Sequence, residues 1–261
     1  MSLGGKIAAT IRFDFRRSLT AGRLSVFLVL SLFPPAILAI NSLGVGIEAA
    51  PVIIGVTVMM VGLLAELLWA TPIVYGELEG KTWVFLAIRP RGIAALLLGK
   101  YLTAVLWTLA VCGTSLTLCV LVAAVVQVPN TPRIWLVFSS LICLAAFAYA
   151  AIFALIGVIF HRRAMVFAMA YVILFEILIA QIPAVINQIT VRHHLTALAV
   201  KWLKFRSLGD EEVPDFILQY MLGAQEPDWQ NLLMVVGTTT FALAAAMWII
   251  YRREFATADE A

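Results

Sequence analysis

Residues 135–160 read WLVFSSLICLAAFAYAAIFALIGVIF and contain no charged side chain. A helix needs about 20 mainly apolar residues to cross the hydrocarbon core of a bilayer, so this stretch predicts a membrane span. The whole chain of 261 residues shares the bias, because 63% of its residues are hydrophobic and 13% are charged. A soluble domain of this length could not bury so much apolar surface. The sequence therefore predicts an all-α integral membrane protein.

Five other apolar stretches are long enough to span a bilayer. They lie at 25–41, 51–74, 93–128, 164–186 and 232–251. The first contains Pro34 and Pro35 near its middle, which predicts a kink. The stretch at 93–128 is longer than a bilayer core requires, so it is tilted, broken or extended into water. We expect six transmembrane helices in a single polytopic domain that covers residues 1–261.

The lysines and arginines predict how these spans are oriented. With six spans the two termini share one side, and that side would carry 13 of the 18 lysines and arginines. The positive-inside rule then puts both termini in the cytoplasm, as in a multi-pass protein of the inner (plasma) membrane. The other side would hold an extracytoplasmic loop at 187–231, where two apolar clusters predict short outer helices between spans five and six.

Residues 6–24, before the first span, carry an apolar stripe on a charged background. The stripe is formed by Ile7, Ile11, Phe15 and Leu19, which recur every four residues. Arginines lie on the other side of such a helix, where they can reach lipid headgroups. This pattern predicts an amphipathic helix in the cytoplasmic interface of the membrane. The alternative is an ordinary solvated helix.

Two carboxylates, Glu66 and Glu176, lie inside predicted spans. An ionised carboxylate in lipid is costly, so each side chain is expected to face the protein interior or a watery path. They are therefore candidates for a substrate path or a proton site, and the alternative is a structural hydrogen bond. Glu66 lies near the cytoplasmic end of its span and is followed by Trp69, which favours snorkelling toward the interface.

The chain carries no motif for nucleotide binding, for a zinc hydrolase or for a serine nucleophile. Its three cysteines lie in apolar runs and are expected to pack, and the adjacent His193 and His194 would point about 100° apart on a helix. The net charge of +3, without a long basic run, does not suggest nucleic-acid binding. We expect neither an enzyme nor a bound metal or cofactor, and any ATP would be hydrolysed by another chain.

The predicted cytoplasmic loop between spans two and three is the most informative segment. Residues 76–92 read GELEGKTWVFLAIRPRG, with acidic residues first, then an apolar stripe and then a Pro-Arg-Gly turn. This order predicts a short amphipathic helix tied between two spans. Such a helix can insert its apolar face into a groove of a partner protein and transmit a push to both spans. We call residues 76–92 the coupling segment.

The coupling segment resembles the corresponding segment of the ABC-2 family of ABC-transporter permeases. The matching positions are Glu77, Glu79, Gly80, Thr82, Leu86, Pro90, Gly99 and Lys100. The chain departs from the family pattern at Trp83 and Val84, where relatives often carry an acidic residue, and its arginine is Arg89 or Arg91. The predicted layout, with an interfacial helix, six spans and outer helices, is also similar to that of the family.

This resemblance implies a permease subunit without its own ATPase site, and an exporter. It implies a dimer with a second copy or a paralogue, surrounded by lipid and driven by separate ATP-binding subunits that hold ATP and Mg²⁺. The residues implied to contact the ATPase are Glu77, Glu79, Gly80, Lys81, Thr82, Trp83, Leu86, Arg89, Pro90 and Arg91.

Two other functions compete with this one. A proton-coupled secondary transporter would use Glu176 or Glu66 as its titrating group, although the internal inverted repeat expected of many such carriers is not evident. An intramembrane enzyme would need a nucleophile, a base or a metal set on facing spans, and the sequence offers none.

Overall fold

The computed structural model describes residues 3–42, 49–79, 92–179, 188–203 and 227–252. These residues are helical almost throughout, and none of them forms a strand, which confirms the predicted all-α class. The helices are α1 (Leu3–Ser18), α2 (Ala21–Ser42), α3 (Ala50–Ala70) with a 3₁₀ turn (Thr71–Ile73), α4 (Tyr75–Glu79), α5 (Gly92–Val125), α6 (Thr131–Ile159), α7 (Ala164–Tyr171) with a π-helical continuation (Val172–Leu178), α8 (Val191–Leu203) and α9 (Asp228–Arg252).

Within the described ranges, five helical stretches are long and apolar enough to cross a membrane. They are α2, α3 with its 3₁₀ turn, α5, α6 and α9. The predicted fifth span at 164–186 is seen as an apolar helix from Ala164 to Leu178, which at about 1.5 Å per residue is shorter than a bilayer core. Its predicted continuation lies mostly outside the described residues, so the count of six spans stays a prediction.

The long third apolar stretch forms one unbroken helix. α5 contains 34 residues, or about 51 Å at about 1.5 Å per residue, against a hydrocarbon core of about 30 Å. Its first turns pack against α1, where Gly99 lies beneath Thr10. A Cβ atom at Gly99 would lie 2.6 Å from the Thr10 methyl carbon, so a glycine is needed for this close approach. Of the three predicted alternatives, a break is excluded.

The amphipathic N-terminal helix is shorter than predicted and presents a different face to the protein. α1 ends at Ser18 and α2 begins at Ala21, so a single helix over 6–24 was wrong. The face that is less exposed follows three- and four-residue steps through Ile7, Thr10, Ile11, Asp14 and Ser18. Leu19, predicted in the stripe, follows the end of the helix and is 50% exposed. Three polar side chains therefore lie on the packed face.

α6 is the central helix of the bundle, in contact with α3, α5, α8 and α9. Small residues allow this close packing, since a Cβ atom at Gly157 would lie 2.5 Å from the Thr71 carbonyl oxygen. α2 continues through Pro34 and Pro35. The chain leaves helical geometry at Pro72, where ψ is 21°, and this bend directs it from α3 into α4. The 3₁₀ turn that precedes the coupling segment is thus packed against the central helix, α6.

Candidate functional site

Glu176 lies in the π-helical segment and is completely buried. The Tyr149 hydroxyl donates a hydrogen bond of 2.8 Å to its Oε2 atom, and the Tyr171 hydroxyl donates one of 3.0 Å to Oε1. Both carboxylate oxygens therefore have a donor, as a buried acid requires. This arrangement matches the structural alternative considered for Glu176, a hydrogen-bonded group at a helix interface.

Arg192, at the start of α8, completes this network from the other side. Its Nη1 atom donates a 2.7 Å hydrogen bond to the backbone carbonyl of Glu176. π-helical geometry interrupts the usual ladder of backbone hydrogen bonds, and such segments are frequent at functional sites. The π segment is thus joined to α6 through Tyr149 and to α8 through Arg192.

Glu66 is also completely buried, but its surroundings are quite different. Neither carboxylate oxygen forms a hydrogen bond of normal geometry within the described residues, although the Thr108 hydroxyl lines the same small cavity. That cavity has a volume of about 10 Å³, close to the space that one water molecule needs. The expectation that Glu66 snorkels is wrong, because Leu64 and Leu68 occupy the outer face of α3 and turn Glu66 toward α5 and α6.

An apolar groove lies beside the Glu66 cavity, between α3, α6 and α8. It has a volume of about 150 Å³, and Tyr149, Arg192 and Thr196 are the polar side chains along it. Its apolar walls include Val52, Met59, Met60, Leu63, Leu195 and Leu203. Tyr149, Met59 and Leu63 line both the groove and the Glu66 cavity, so these side chains separate the two spaces.

Tyr149 is therefore the residue that joins the two predicted carboxylates, and the sequence prediction missed it. It binds Glu176 directly and forms a wall of the cavity that holds Glu66. A signal was present in the sequence, since a phenol in a charge-free span needs a hydrogen-bond partner when it is buried. The spacing along the chain could not identify which carboxylate would supply that partner.

Beyond the end of α3, Glu77 of α4 holds the start of the coupling segment in place. Its Oε1 atom lies 2.6 Å from the Lys100 Nζ atom of α5, and Glu77 itself is 6% exposed. The Lys100 ammonium also donates a 3.3 Å hydrogen bond to the Ile73 carbonyl. α4 is thereby held to α5.

The other predicted ATPase contacts are for the most part not described. Glu79 is the last residue of α4. The remaining predicted contacts lie outside the described residues, and they are Gly80, Lys81, Thr82, Trp83, Leu86, Arg89, Pro90 and Arg91. Their role stays a prediction.

A charged cleft of about 380 Å³ opens next to the ion pair, between α1, the start of α2, the end of α3 and α5. It is lined by Asp14, Arg17, Arg23 and Lys100, among others. Burial raises the pKa of the Asp14 carboxyl above its ordinary range, while Lys100 opposes this rise and Glu77 adds to it. Asp14 therefore belongs to the same electrostatic cluster as the ion pair, which the sequence prediction did not include.

The histidines of α8 serve packing and hydrogen bonding. The His194 ring bridges the Asn231 side chain, at 2.7 Å from Nδ1, and the Gln188 carbonyl, at 2.8 Å from Nε2. Within the described part of the chain, no three His, Cys, Asp or Glu side chains are grouped as metal ligands would be. Comparison with known proteins adds no assignment, since no protein-family model matches the chain and no curated protein matches it.

Proposed function

We propose that this chain is the membrane-spanning permease subunit of an ATP-driven transporter, with separate ATP-binding subunits docked on residues 77–91. The observation that carries the proposal is the Glu77–Lys100 ion pair, which ties the start of the coupling segment to the helix that follows it. In this proposal the protein lies in the inner membrane of the cell, and both of its termini lie in the cytoplasm. The resemblance of the segment to ABC-2 permeases suggests export.

The contacts around the ion pair support a mechanical role. Glu77 and Lys100 are largely buried, so solvent screens their attraction less than at an open surface. Lys100 also holds the Ile73 carbonyl, and the neighbouring Thr71 backbone packs directly on Gly157 of α6. A displacement of the coupling segment would therefore act on α3, α5 and α6 together. Closure of an ATPase dimer beneath the segment would supply that displacement.

Charge reversal tests the proposal. The tagged chain is co-expressed with candidate ATP-binding subunits from the same cell, purified and reconstituted in liposomes. Glu77→Lys should reduce ATP-dependent transport at least about tenfold, since it puts two cations at one buried point. Glu77→Lys combined with Lys100→Glu should recover much of the loss. Failure of any ATP-binding subunit to co-purify, or full transport by Glu77→Lys, would refute the proposal.

One observation favours the proton-coupled carrier as a second candidate, namely the completely buried Glu66, whose carboxylate forms no hydrogen bond of normal geometry within the described residues. A carrier of this kind would need Glu66 to exchange protons during each cycle. Proton-driven uptake in liposomes without ATP, abolished in Glu66→Gln, would support it. Uptake that requires ATP and survives in Glu66→Gln would reject it.

A further inference from the structure

We propose that the groove between α3, α6 and α8 binds a single-chain amphiphile with an anionic headgroup, its chain along α3 and its head at Arg192. This inference goes beyond the proposed function, because it concerns a ligand and does not depend on an ATPase partner. The site is made by described residues of three helices, and each contributes a distinct part.

The volume of the groove suits part of a hydrocarbon chain, with the rest of the chain in the bilayer. Its volume of about 150 Å³ is below the roughly 300–1,000 Å³ of pockets that hold drug-sized molecules, while an apolar space of about 150 Å³ in another protein holds benzene. The Phe138 ring forms part of its wall and lies directly on the α3 backbone, since a Cβ atom at Gly55 would be 2.9 Å from that ring. The groove is thus small, mainly apolar and lined by residues of three helices.

The polar side chains give the groove a charged point. Arg192 carries a positive charge, and its Nη1 atom donates to the Glu176 carbonyl. The Glu176 carboxylate, which accepts two tyrosine hydroxyls, lies near enough for its charge to attract the guanidinium, although the described residues show no direct ion pair between them. A guanidinium has five N–H donors, so within the described residues Arg192 keeps further donors for a carboxylate or phosphate. The Thr196 hydroxyl, which donates to the Arg192 carbonyl, lies along the same groove.

The groove is reached from the side of the bundle. Val56 and Met60, on its α3 edge, are 50% and 40% exposed. The chain of an amphiphile already in the bilayer could enter laterally without leaving an apolar environment. A second copy of the chain is a poorer fit, because it would need a protruding apolar ridge with an anion at one point to match a concave groove that carries Arg192.

Photolabelling of the whole protein in phosphatidylcholine liposomes, without ATP, tests this site. The probe is palmitate with a diazirine in its chain, and the comparison probe is the uncharged hexadecanol with the same diazirine. Palmitate should label α3 between 52 and 63 and α8 between 195 and 203 at least about fivefold more than hexadecanol, because a desolvated guanidinium binds a carboxylate well. Equal labelling by the two probes would overturn the proposal.

Three variants separate the groove from general lipid contact. Ala199→Trp fills the groove and should remove the preferential label, and Arg192→Gln should reduce palmitate labelling to the hexadecanol level. Arg133→Gln is the matched control, because Arg133 also holds a backbone carbonyl, that of Trp202, but lies outside the groove. Loss of label in all three variants, or in none, would overturn the assignment. Crosslinks between two copies at Val56 or Met60 without palmitate labelling would show a subunit interface instead.

Discussion

The Tyr149 hydroxyl donates a hydrogen bond of 2.8 Å to the Glu176 carboxylate in the interior of the helical bundle. The two residues come from different helices, α6 and the π segment that follows α7. Tyr149 also faces the cavity of Glu66 and the apolar groove, so one side chain touches all three features of the intramembrane site.

Tyr149→Phe should lower the free energy of unfolding by about 1–3 kcal/mol, because it leaves a buried carboxylate oxygen without its donor. The measurement is reversible unfolding in mixtures of neutral and denaturing detergent. Tyr101→Phe is a suitable control, since its hydroxyl donates to the neutral Phe147 carbonyl at 3.0 Å. Its effect should be smaller, and an equal loss in both variants would contradict a special role for the Tyr149–Glu176 bond.

The two buried glutamates should respond in opposite directions to the same substitution. Glu66→Met should raise the free energy of unfolding by about 1–3 kcal/mol, because it replaces a buried polar group that lacks a hydrogen bond of normal geometry in the described residues with an apolar group of similar length. Glu176→Met should lower it by about 2 kcal/mol or more, because two tyrosine hydroxyls lose their acceptor. The same detergent titration measures both. A loss of stability in Glu66→Met would mean that Glu66 has a partner in the folded protein.

Gly99→Ala should loosen α1 from α5, because the new methyl group would overlap Thr10. The expected result is faster proteolysis within α1 and a lower unfolding free energy by about 1–3 kcal/mol. Gly113→Ala is the control on the same helix, since nothing lies within 4 Å of its added Cβ atom. That variant should be neutral or stabilising by up to about 1 kcal/mol. Thr10→Gly in the Gly99→Ala chain should restore protection, and a failure to do so would contradict this contact.

Asp14 should make stability depend on pH in a defined direction. Burial raises its pKa in the folded protein, so the folded state binds the proton more tightly than the unfolded state. Its contribution to the unfolding free energy is therefore most favourable below the unfolded pKa and declines as pH rises through the folded pKa. As the pH rises from about 4 to about 7, the unfolding free energy of the wild type should fall relative to that of Asp14→Asn. If the unfolding free energies of the two proteins changed with pH in the same way, the raised pKa of Asp14 would be contradicted.

The spans could be predicted because apolar length is a property of the sequence itself. The predicted stretch 135–160 became α6 at Thr131–Ile159, and 232–251 became α9 at Asp228–Arg252. Both helices begin about four residues before their predicted starts, because their first turns contain polar residues that a search for apolar runs leaves out. Hydropathy identifies the part of a helix that is apolar enough to lie in lipid. It does not identify polar turns that extend the helix beyond that part.

The candidate site was less predictable because it depends on which side of each helix faces its neighbours in the bundle. The sequence identified Glu66 and Glu176 as costly, but their spacing along the chain could not show that Tyr149 binds one and faces the other. It also gave no sign of the π segment, since π-helical hydrogen bonding has no clear residue pattern. Asp14 was missed because the predicted stripe stepped by four residues, whereas the packed face of α1 steps by three and four.

The close contact between Thr10 and Gly99 has a consequence for how the protein is made. Helix α1 is synthesised before α5, and the glycine on which α1 packs follows about 90 residues later. At about 5–20 residues per second, roughly 5–20 seconds pass before that docking surface exists. During this interval the packed face of α1 cannot yet rest on α5. The Thr10–Gly99 contact therefore forms only after α2 and α3 have been synthesised.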